Sequence, residues 1–416
     1  MPSAPTTADL RSLIEHELKP LTALRRSIHR EPELCFKEHK TSARIASELT
    51  ALRIERIDGV GAEQPGKRGT GVIGYLPATE GPADRPSIGL RADIDALPIQ
   101  EETGAEHASS IPGVMHACGH DGHTAILLGA ARVLSKIDHR PNAVTFVFQP
   151  AEEGGGGAEK LIRDGVLGGE GAGPAGIGRP VGRMFGLHGW PEVPVGTVST
   201  KPGALLAATD DFLVTIRGEG GHAAYPHLGR DPVVAASAVV QAIQSIASRN
   251  TDPVDSVVIT VGRIVGGSAN NVIPDSVQLE GTIRTLRDDS REMACRRFVE
   301  VVEHAARALG CSADIEMHRG YPVTNNDSDA TEHFFGVARE AFGDQHVGLV
   351  PAPGLGGEDF SYYGREVPAC FFLLGLLPEG ADPKAAPKLH QPTFDFNDDA
   401  IVTGVEAMCR LALSEY

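Results

Sequence analysis

Short apolar segments that end in polar side chains constrain the fold of this chain more than any other feature. These strand-like segments are residues 86–94, 143–149 and 184–187. The polar residues at or just after their carboxyl ends are Asp93, Glu152, Glu153 and His188. Helix-like sequence separates the first two segments, and strands that alternate with helices predict a mostly parallel sheet covered on both faces. Because ligands bind beyond the carboxyl ends of such strands, we expect these polar residues to lie together.

The segment HACGHDGH, residues 116–123, concentrates side chains that bind metal ions. It contains three histidines, a cysteine and an aspartate, and imidazole and thiolate are ligands that zinc and similar ions prefer. Cys118 and His120 are two residues apart, so in an extended segment their side chains would leave the same side. We expect a loop just before a helix, with Asp121 or Thr124 capping the first turn. The segment predicts part of a metal site whose other ligands come from elsewhere in the chain.

The length and the order of the predicted elements indicate two domains. A chain of 416 residues is longer than one hydrophobic core usually organises. After about residue 210 the predicted order becomes β-α-β-β-α-β, which is typical of a ferredoxin-like unit. We therefore predict an α/β fold in which a mostly parallel-sheet, metal-binding domain comprises residues 1–209 and 323–416. The inserted ferredoxin-like domain comprises residues 210–322.

Composition argues against several classes of partner. The net charge of −17 disfavours nucleic acid and anionic membranes as partners. The N-terminal residues lack the apolar segment of a secretory signal, and no apolar run approaches the ~20 residues of a membrane span. The six cysteines are scattered, which indicates reduced thiols. We expect a cytoplasmic protein with no nucleic-acid or membrane partner.

Ten segments, in order from residue 25 to residue 398, resemble the M20 metallopeptidase family. They are RRSIHREPEL, LRADIDALPI, MHACGHDGHTA, FQPAEEGGGGA, GLHGWP, GGHAAYPHLGRDPV, NNVIPD, EGTIRT, GGEDFS and LHQPTFDFND. The closer resemblance is to the amidohydrolase branch, with its hippurate hydrolases, N-acyl-amino-acid amidohydrolases (aminoacylases) and indole-acetyl-amino-acid hydrolases. It implies a metal-dependent hydrolase that cleaves N-acyl amino acids to a carboxylic acid and a free amino acid.

The resemblance implies a binuclear site for two divalent metal ions. The implied ligands are Cys118, shared between the ions, with His120, Glu153, His188 and His390. Relatives with a His-x-Asp sequence on the first strand use that histidine as a ligand, but here Arg91 occupies the position and His120 is expected to substitute. Asp93 would orient a ligand from outside the coordination sphere. The thiolate favours zinc, while manganese, cobalt or nickel also suit the imidazole and carboxylate ligands.

The resemblance also implies roles beyond metal binding. Glu152 would be the general base, and His222 would donate a hydrogen bond to the tetrahedral oxyanion. In dimeric relatives that histidine reaches in from the small domain of the partner subunit. Asn271 and Arg284 match positions that hold the carboxylate side of the substrate, although Arg284 could also be an ordinary exposed strand arginine. We expect a homodimer, or a tetramer built from dimers, with the small domain as lid and dimerisation domain.

Two alternatives remain open. A dipeptidase or a desuccinylase of the same family would share the segments around His222, Asn271 and Arg284. The Cys-x-His sequence and Arg91 weigh against the desuccinylase. A non-catalytic metal-binding or peptide-binding protein on the same scaffold would have lost the base or a ligand, whereas this chain retains Glu152 and all five implied ligands.

Overall fold

The computed structural model describes residues 7–82 and 84–415, which form two compact units. Within the described residues, the first unit comprises 7–82, 84–205, 325–351 and 359–415, and the second comprises 206–324 and 352–358. The domain boundaries expected from the sequence stay predictions. The short segment Ala352–Glu358 belongs to the second unit, although the residues on either side of it belong to the first. The segment groups with the second unit because the Ala207 N–H donates to the Gly356 carbonyl at 2.9 Å.

Helices alternate with strands through much of the described chain. The α-helices are α1 (Thr7–Arg30), α2 (His39–Ala51), α3 (His120–Leu134), α4 (Gly157–Arg163), α5 (Pro232–Ser245), α6 (Asp288–Ala308), α7 (Ser328–Phe342), α8 (Tyr363–Glu366) and α9 (Ala400–Leu413). Short 3-10 turns span Pro226–Leu228, Asp344–His346 and Asp359–Tyr362, and a π turn spans Ile246–Asn250. None of the helices within residues 7–82 and 84–415 has the length and apolar content needed to cross a membrane.

Eight strands among the described residues form the large sheet of the first unit. The strands before the second unit are β1 (Glu55–Val60), β2 (Gly71–Leu76), β3 (Ser87–Asp93), β4 (Val144–Gln149), β5 (Val181–Pro194), β6 (Val198–Thr200) and β7 (Gly203–Leu206). Those after it are numbered β14 (Thr324–Asn326), β15 (Val347–Leu349) and β16 (Ala369–Leu377). The sheet order is β1-β2-β4-β3-β5-β16-β6-β15.

Parallel pairing dominates the centre of this sheet. Strand β3 runs parallel to β4 and β5, and β5 runs parallel to β16. Antiparallel pairs occur between β1 and β2, β2 and β4, and β16 and β6. Every residue of β3, β4 and β16 is buried, as expected for strands covered on both faces. The predicted mostly parallel α/β sheet is confirmed.

The second unit contains a smaller antiparallel sheet. Its strands are β8 (Ala208–Arg217), β9 (Gly221–His222), β10 (Val257–Gly266), β11 (Val272–Ile273), β12 (Ser276–Thr285) and β13 (Ser312–Arg319). The four long strands have the order β10-β12-β8-β13, and α5 and α6 pack on one face. Phe212 of β8 meets Phe298 of α6 with ring centroids 4.3 Å apart. The chain order β8-α5-β10-β12-α6-β13 is the predicted ferredoxin-like unit.

The HACGHDGH segment enters a helix earlier than expected. Helix α3 begins at His120, and its N-cap is Gly119, with φ of 87° and no side-chain cap. The predicted capping by Asp121 or Thr124 is wrong because both side chains have other partners. The Thr124 hydroxyl donates to the Asp93 carbonyl at 3.1 Å, and Asp121 pairs with Arg25 at 2.7 Å. Cys118 and His120 are therefore brought together by the left-handed conformation of Gly119 and not by an extended segment.

Candidate metal centre

The predicted ligands come from four different places in the first unit. Glu153 follows β4, His188 lies inside β5, His120 begins α3, and His390 lies in the loop between β16 and α9. Asp93 is the last residue of β3. The carboxyl ends of these neighbouring strands meet at one edge of the sheet, which is why residues far apart in sequence converge.

The potential ligand atoms lie close together in overlapping groups. Within each group all ligand atoms are within 4.8 Å of one another. The groups that contain predicted ligands are Cys118–His120–His188, Cys118–Glu153–His390, His120–Glu152–Glu153 and Asp93–His120–His123. Cys118 belongs to the first two groups, so its sulfur lies where a ligand shared by two ions is expected.

Backbone carbonyls fix the orientation of two imidazoles. His120 donates from Nδ1 to the Asp95 carbonyl at 2.9 Å, and His188 donates from Nδ1 to the Gly189 carbonyl at 2.8 Å. The Nε2 atom of each ring is therefore the nitrogen left to bind a metal. Burial would lower the pKa of His120, but Asp93 and Asp95 raise it to about 10, so a metal ion would have to displace the Nε2 proton of that ring. His120 Nε2 is buried and has no hydrogen-bond partner in the described part of the chain, and His188 Nε2 lies 3.3 Å from Cys118 Sγ. Buried ring nitrogens beside a thiol fit a metal ion.

The electrostatics of the group also fit a cation. Burial and the carboxylates of Glu153 and Glu152 raise the pKa of the Cys118 thiol well above its ordinary value. Burial and the neighbouring His123 hold the pKa of His188 well below its ordinary value, so that ring is neutral. A divalent ion would offset the excess negative charge and convert the thiol to the thiolate that binds it.

Glu152 and Glu153 lie in a tight turn. The backbone is not extended here, since Ala151 has a φ of 55° and a turn follows it. Glu153 Oε1 lies 3.2 Å from His390 Nε2, whereas Glu152 Oε1 accepts a hydrogen bond from the Asp359 N–H at 3.4 Å. The turn thus gives two adjacent carboxylates different partners.

His390 has an unusual backbone conformation. Its φ is 64°, a value that is uncommon for residues other than glycine. Its N–H donates to the Ala117 carbonyl at 2.8 Å, so the loop is attached directly beside Cys118. Its side chain is about half exposed, unlike the buried Cys118 and His120.

His123 lies among the ligand groups, but both its ring nitrogens are occupied. Nδ1 donates to Asp93 at 2.6 Å, and Nε2 accepts from the Gly189 N–H at 2.8 Å. Neither nitrogen retains a lone pair for a metal. Burial alone would raise the pKa of Asp93, but His120, His123 and Arg91 hold it well below its ordinary value. Asp93 therefore remains a carboxylate that orients His123, and its other oxygen is 3.7 Å from His120 Nε2.

Arg91 occupies the strand position where a histidine ligand would lie in other relatives. Its guanidinium is buried and donates to Gln149 at 2.9 Å, to Asp93 at 2.7 Å and to Asp359 at 2.8 Å. A guanidinium has no lone pair to give a metal. Arg91 instead supplies a fixed positive charge between two buried carboxylates, and the replacement of that histidine by His120 stays a prediction.

A second buried charged cluster borders the segment of residues 116–123. Arg25 and His29, one turn apart on α1, contact the Asp121 carboxylate at 2.7 and 2.8 Å. Burial would lower the pKa of His29, but Asp121 and Glu101 raise it to about 9. The helical spacing of Arg25 and His29 indicates a shared face, but their partners depend on contacts from distant parts of the chain.

His222, Asn271 and Arg284 all lie in the second unit. His222 in β9 pairs with Val272 in β11, and the Ala223 N–H donates to the Asn271 carbonyl at 3.0 Å. His222 and Asn271 are therefore close together, and both are exposed. Arg284 is a half-buried residue of β12. The roles of these three residues stay predictions.

Cys, His and Glu side chains gathered at the strand ends of an α/β sheet are the groups from which metal-dependent hydrolases build their sites. The family model described as Peptidase family M20/M25/M40 matches residues 89–414. This range is more than half of the chain, so the chain belongs to that family. The resemblance predicted from the ten segments is confirmed.

Relatives match over most of this chain. It is 41% identical over 386 residues to the N-acetyl-L-cysteine deacetylase of Bacillus subtilis, covering 92% of this chain and 85% of that protein. It is 38% identical over 398 residues to the IAA-amino acid hydrolase ILR1-like 2 of Arabidopsis thaliana, covering 94% and 84%. The crystal structure of the Bacillus subtilis YXEP protein, described as a dinuclear metal binding peptidase from the M20 family, matches with a TM-score of 0.77 and 32% identity. That match covers 96% of this chain and 98% of the other.

Proposed function

We propose that this protein hydrolyses the amide bond of N-acyl amino acids and releases a carboxylic acid and a free amino acid. The observation that carries the proposal is the convergence of the five expected ligand side chains around Cys118, with Glu152 beside them. The names of the deacetylase and of the IAA-amino acid hydrolase both describe N-acyl amino acids with different acyl groups. The proposed substrate class is what these two names share.

Five side chains would hold the two metal ions. They are Cys118, as the shared ligand, with His120, Glu153, His188 and His390. When bound, a pair of divalent ions supplies Lewis-acid polarisation of the substrate carbonyl and acidifies water. The thiolate of Cys118 makes zinc the favoured ion, with manganese, cobalt or nickel as alternatives that the imidazole and carboxylate ligands accept.

Glu152 is the proposed general acid and base. It is buried, and its carboxylate lies within 4.8 Å of ligand atoms of His120 and Glu153. The Asp359 N–H donates to Glu152 Oε1 at 3.4 Å and so restrains the carboxylate. Glu152 would accept a proton from the attacking water and then give it to the departing amine.

A substrate panel tests the proposed activity. We expect metal-loaded protein to release free amino acid from N-acetyl, N-benzoyl, indole-acetyl or long-chain acyl amino acids, as measured with ninhydrin. Chelation should abolish the release, and adding back single metals should restore it and identify the ion. Faster cleavage of dipeptides, or of N-succinyl substrates, would favour the alternative hydrolases. No release from any compound would favour a non-catalytic binding protein.

We further propose that the protein is a homodimer, alone or within a tetramer, joined through the edge strand β10 of the second unit. Apolar side chains are exposed along this edge and the adjacent α5, namely Val233, Val234, Ile264 and Val265. A groove of about 360 Å³ lies between Val233 and Ile264. Exposed apolar side chains beside an unpaired strand edge favour pairing with a second copy.

Mixing two inactive variants tests the proposed role of His222 across the dimer. His222→Ala and Glu152→Gln should each be inactive alone. After subunit exchange we expect about a quarter of wild-type activity, because half of the random dimers are mixed and each has one intact site. Light scattering would establish the dimer. Exchanged dimers without activity would contradict a contribution of His222 from the partner subunit.

We also propose a cytoplasmic location. All six cysteines lie in the described part of the chain and are free thiols, and five of them are buried. Free thiols are typical of a reducing compartment. Cell fractionation would test the location, and recovery of the protein outside the cytoplasm would contradict it.

A further inference from the structure

The turn that carries Glu152 and Glu153 is held by two buried carboxylates. Three consecutive backbone N–H groups of this turn point at them. The Ala151 N–H donates to Glu38 Oε1 at 2.9 Å. The Glu152 and Glu153 N–H groups donate to the two oxygens of Asp95 at 3.0 and 2.9 Å. Every donor at the start of the turn therefore has a carboxylate acceptor.

The turn needs this support because Ala151 is strained. A φ of 55° places its backbone in the left-handed region, which is unfavourable for alanine. Conformations of this kind persist only when surrounding contacts fix them. Without these acceptors, Ala151 would relax toward ordinary backbone and rotate the two following carboxylates.

Asp95 also contacts a ligand on the other side of the site. Its backbone carbonyl accepts the Nδ1–H of His120 at 2.9 Å, and its carboxylate Oδ1 is 3.3 Å from the same nitrogen. Asp95 thus contacts three groups with proposed roles, namely the base Glu152 and the ligands Glu153 and His120. It lies two residues beyond Asp93, on the segment that leaves β3.

Burial of these two carboxylates side by side costs free energy, which argues against a passive role for them. Glu38 and Asp95 are 0% and 1% exposed, and burying two neighbouring carboxyl groups opposes their ionisation. Burial and the charge of Asp95 raise the pKa of Glu38 to about 7. Glu38 also accepts from the Phe36 N–H at 2.9 Å and the Thr70 hydroxyl at 2.5 Å. Each oxygen of this pair has a defined partner.

We infer that Asp95 and Glu38 are positioning residues for the hydrolytic reaction. Asp95 sets the direction of the general base and of one metal ligand by holding their backbone N–H groups with its two oxygens, and Glu38 fixes the strained Ala151 that precedes them. Neither side chain needs to touch the substrate. The inference rests on the proposed function, since it assigns the two carboxylates to the support of the base and the metal ligands.

The hydrogen-bond chemistry of the two sites predicts opposite responses to amide substitution. Asp95 uses both oxygens as acceptors, so in Asp95→Asn an NH₂ group would face a backbone N–H donor. Glu38 uses one oxygen for backbone donors and the other for a hydroxyl. In Glu38→Gln the amide oxygen still accepts from Ala151, and its NH₂ can donate to Thr70. Only Glu38→Ala removes the acceptor for Ala151.

The experiment compares Asp95→Asn, Glu38→Gln and Glu38→Ala in the full-length, metal-loaded protein. For Asp95→Asn we expect kcat to fall about 10²-fold with KM nearly unchanged, since the base is displaced but the substrate contacts remain. Its metal affinity, measured by chelator competition, should fall about 10–100-fold. Glu38→Gln should keep kcat within about threefold, whereas Glu38→Ala should lose about tenfold or more. Glu63→Gln, an exposed carboxylate, is the control.

Two further readouts separate this inference from the proposed activity. If the wild-type protein cleaves no substrate, the proposed function fails. Chelator competition and the thiolate-to-cobalt absorption band of cobalt-loaded protein still test the positioning roles. Wild-type kcat and metal affinity in Asp95→Asn would overturn the role of Asp95. Equal losses of kcat in Glu38→Gln and Glu38→Ala would overturn the role of Glu38. If Asp95→Asn does not fold, the comparison of the two Glu38 variants still tests the inference.

Discussion

Glu152→Gln is expected to lower kcat by about 10²–10⁴-fold and to leave the bound metal unchanged. The glutamine has the same shape, and its amide oxygen can still accept the hydrogen bond from the Asp359 N–H. It cannot take a proton from water or give one to the departing amine. The five proposed ligands are untouched, so the loss should appear in turnover rather than in metal content. Amine release and elemental analysis of the same dialysed sample measure both quantities.

A nearby exposed glutamate provides the control for this substitution. Glu159 lies in α4, a few residues beyond the turn, and its side chain is exposed and paired with Lys160. Glu159→Gln should leave kcat and metal content unchanged. Activity of Glu152→Gln within tenfold of wild type would remove Glu152 from the proton transfers. Loss of metal in that variant would instead make Glu152 a ligand.

Local sequence patterns were sufficient for the architecture and for the region of the site. The apolar segments before Glu152 and around His188 predicted strands. The pattern is apolar because every residue of β4 and the centre of β5 are buried. Parallel pairing then follows from the intervening helices, and it places the strand ends at one edge of the sheet. Convergence of Glu153 with Cys118 could therefore be expected before any coordinates were known.

The same patterns could not predict how the side chains are aimed. The turn at Ala151 depends on Glu38, which is 113 positions away, and on Asp95, which is 57 positions from Glu152. Periodicity reports which face of an element is buried, but it does not report which distant acceptor meets a given N–H. Asp95 lies just beyond the end of β3, whose last residue is Asp93, and this position was the only sequence signal that could have singled out Asp95.

Metal ligation by Cys118 has the second large expected effect. Because Cys118 belongs to both the group with His120 and His188 and the group with Glu153 and His390, its loss should weaken both ion sites. Removing a residue that only orients a ligand lowers metal affinity about 10–100-fold, and we expect Cys118→Ala to lower it further. Hydrolysis should fall to background. Equilibrium dialysis with elemental analysis measures the ions that remain per subunit.

Two further variants serve as comparisons for Cys118→Ala. His390→Ala removes a proposed ligand of one ion, and Cys409→Ala removes a buried thiol that is not a proposed ligand. His390 belongs to one of the two groups that contain Cys118, so its loss should weaken one ion and spare the other. Cys409 is a buried thiol in α9 that belongs to none of the metal groups found among the described residues, and its substitution should leave both ions in place. If Cys118→Ala lost only as much metal as His390→Ala, Cys118 would be the ligand of a single ion, and the two-ion arrangement would need a different bridge.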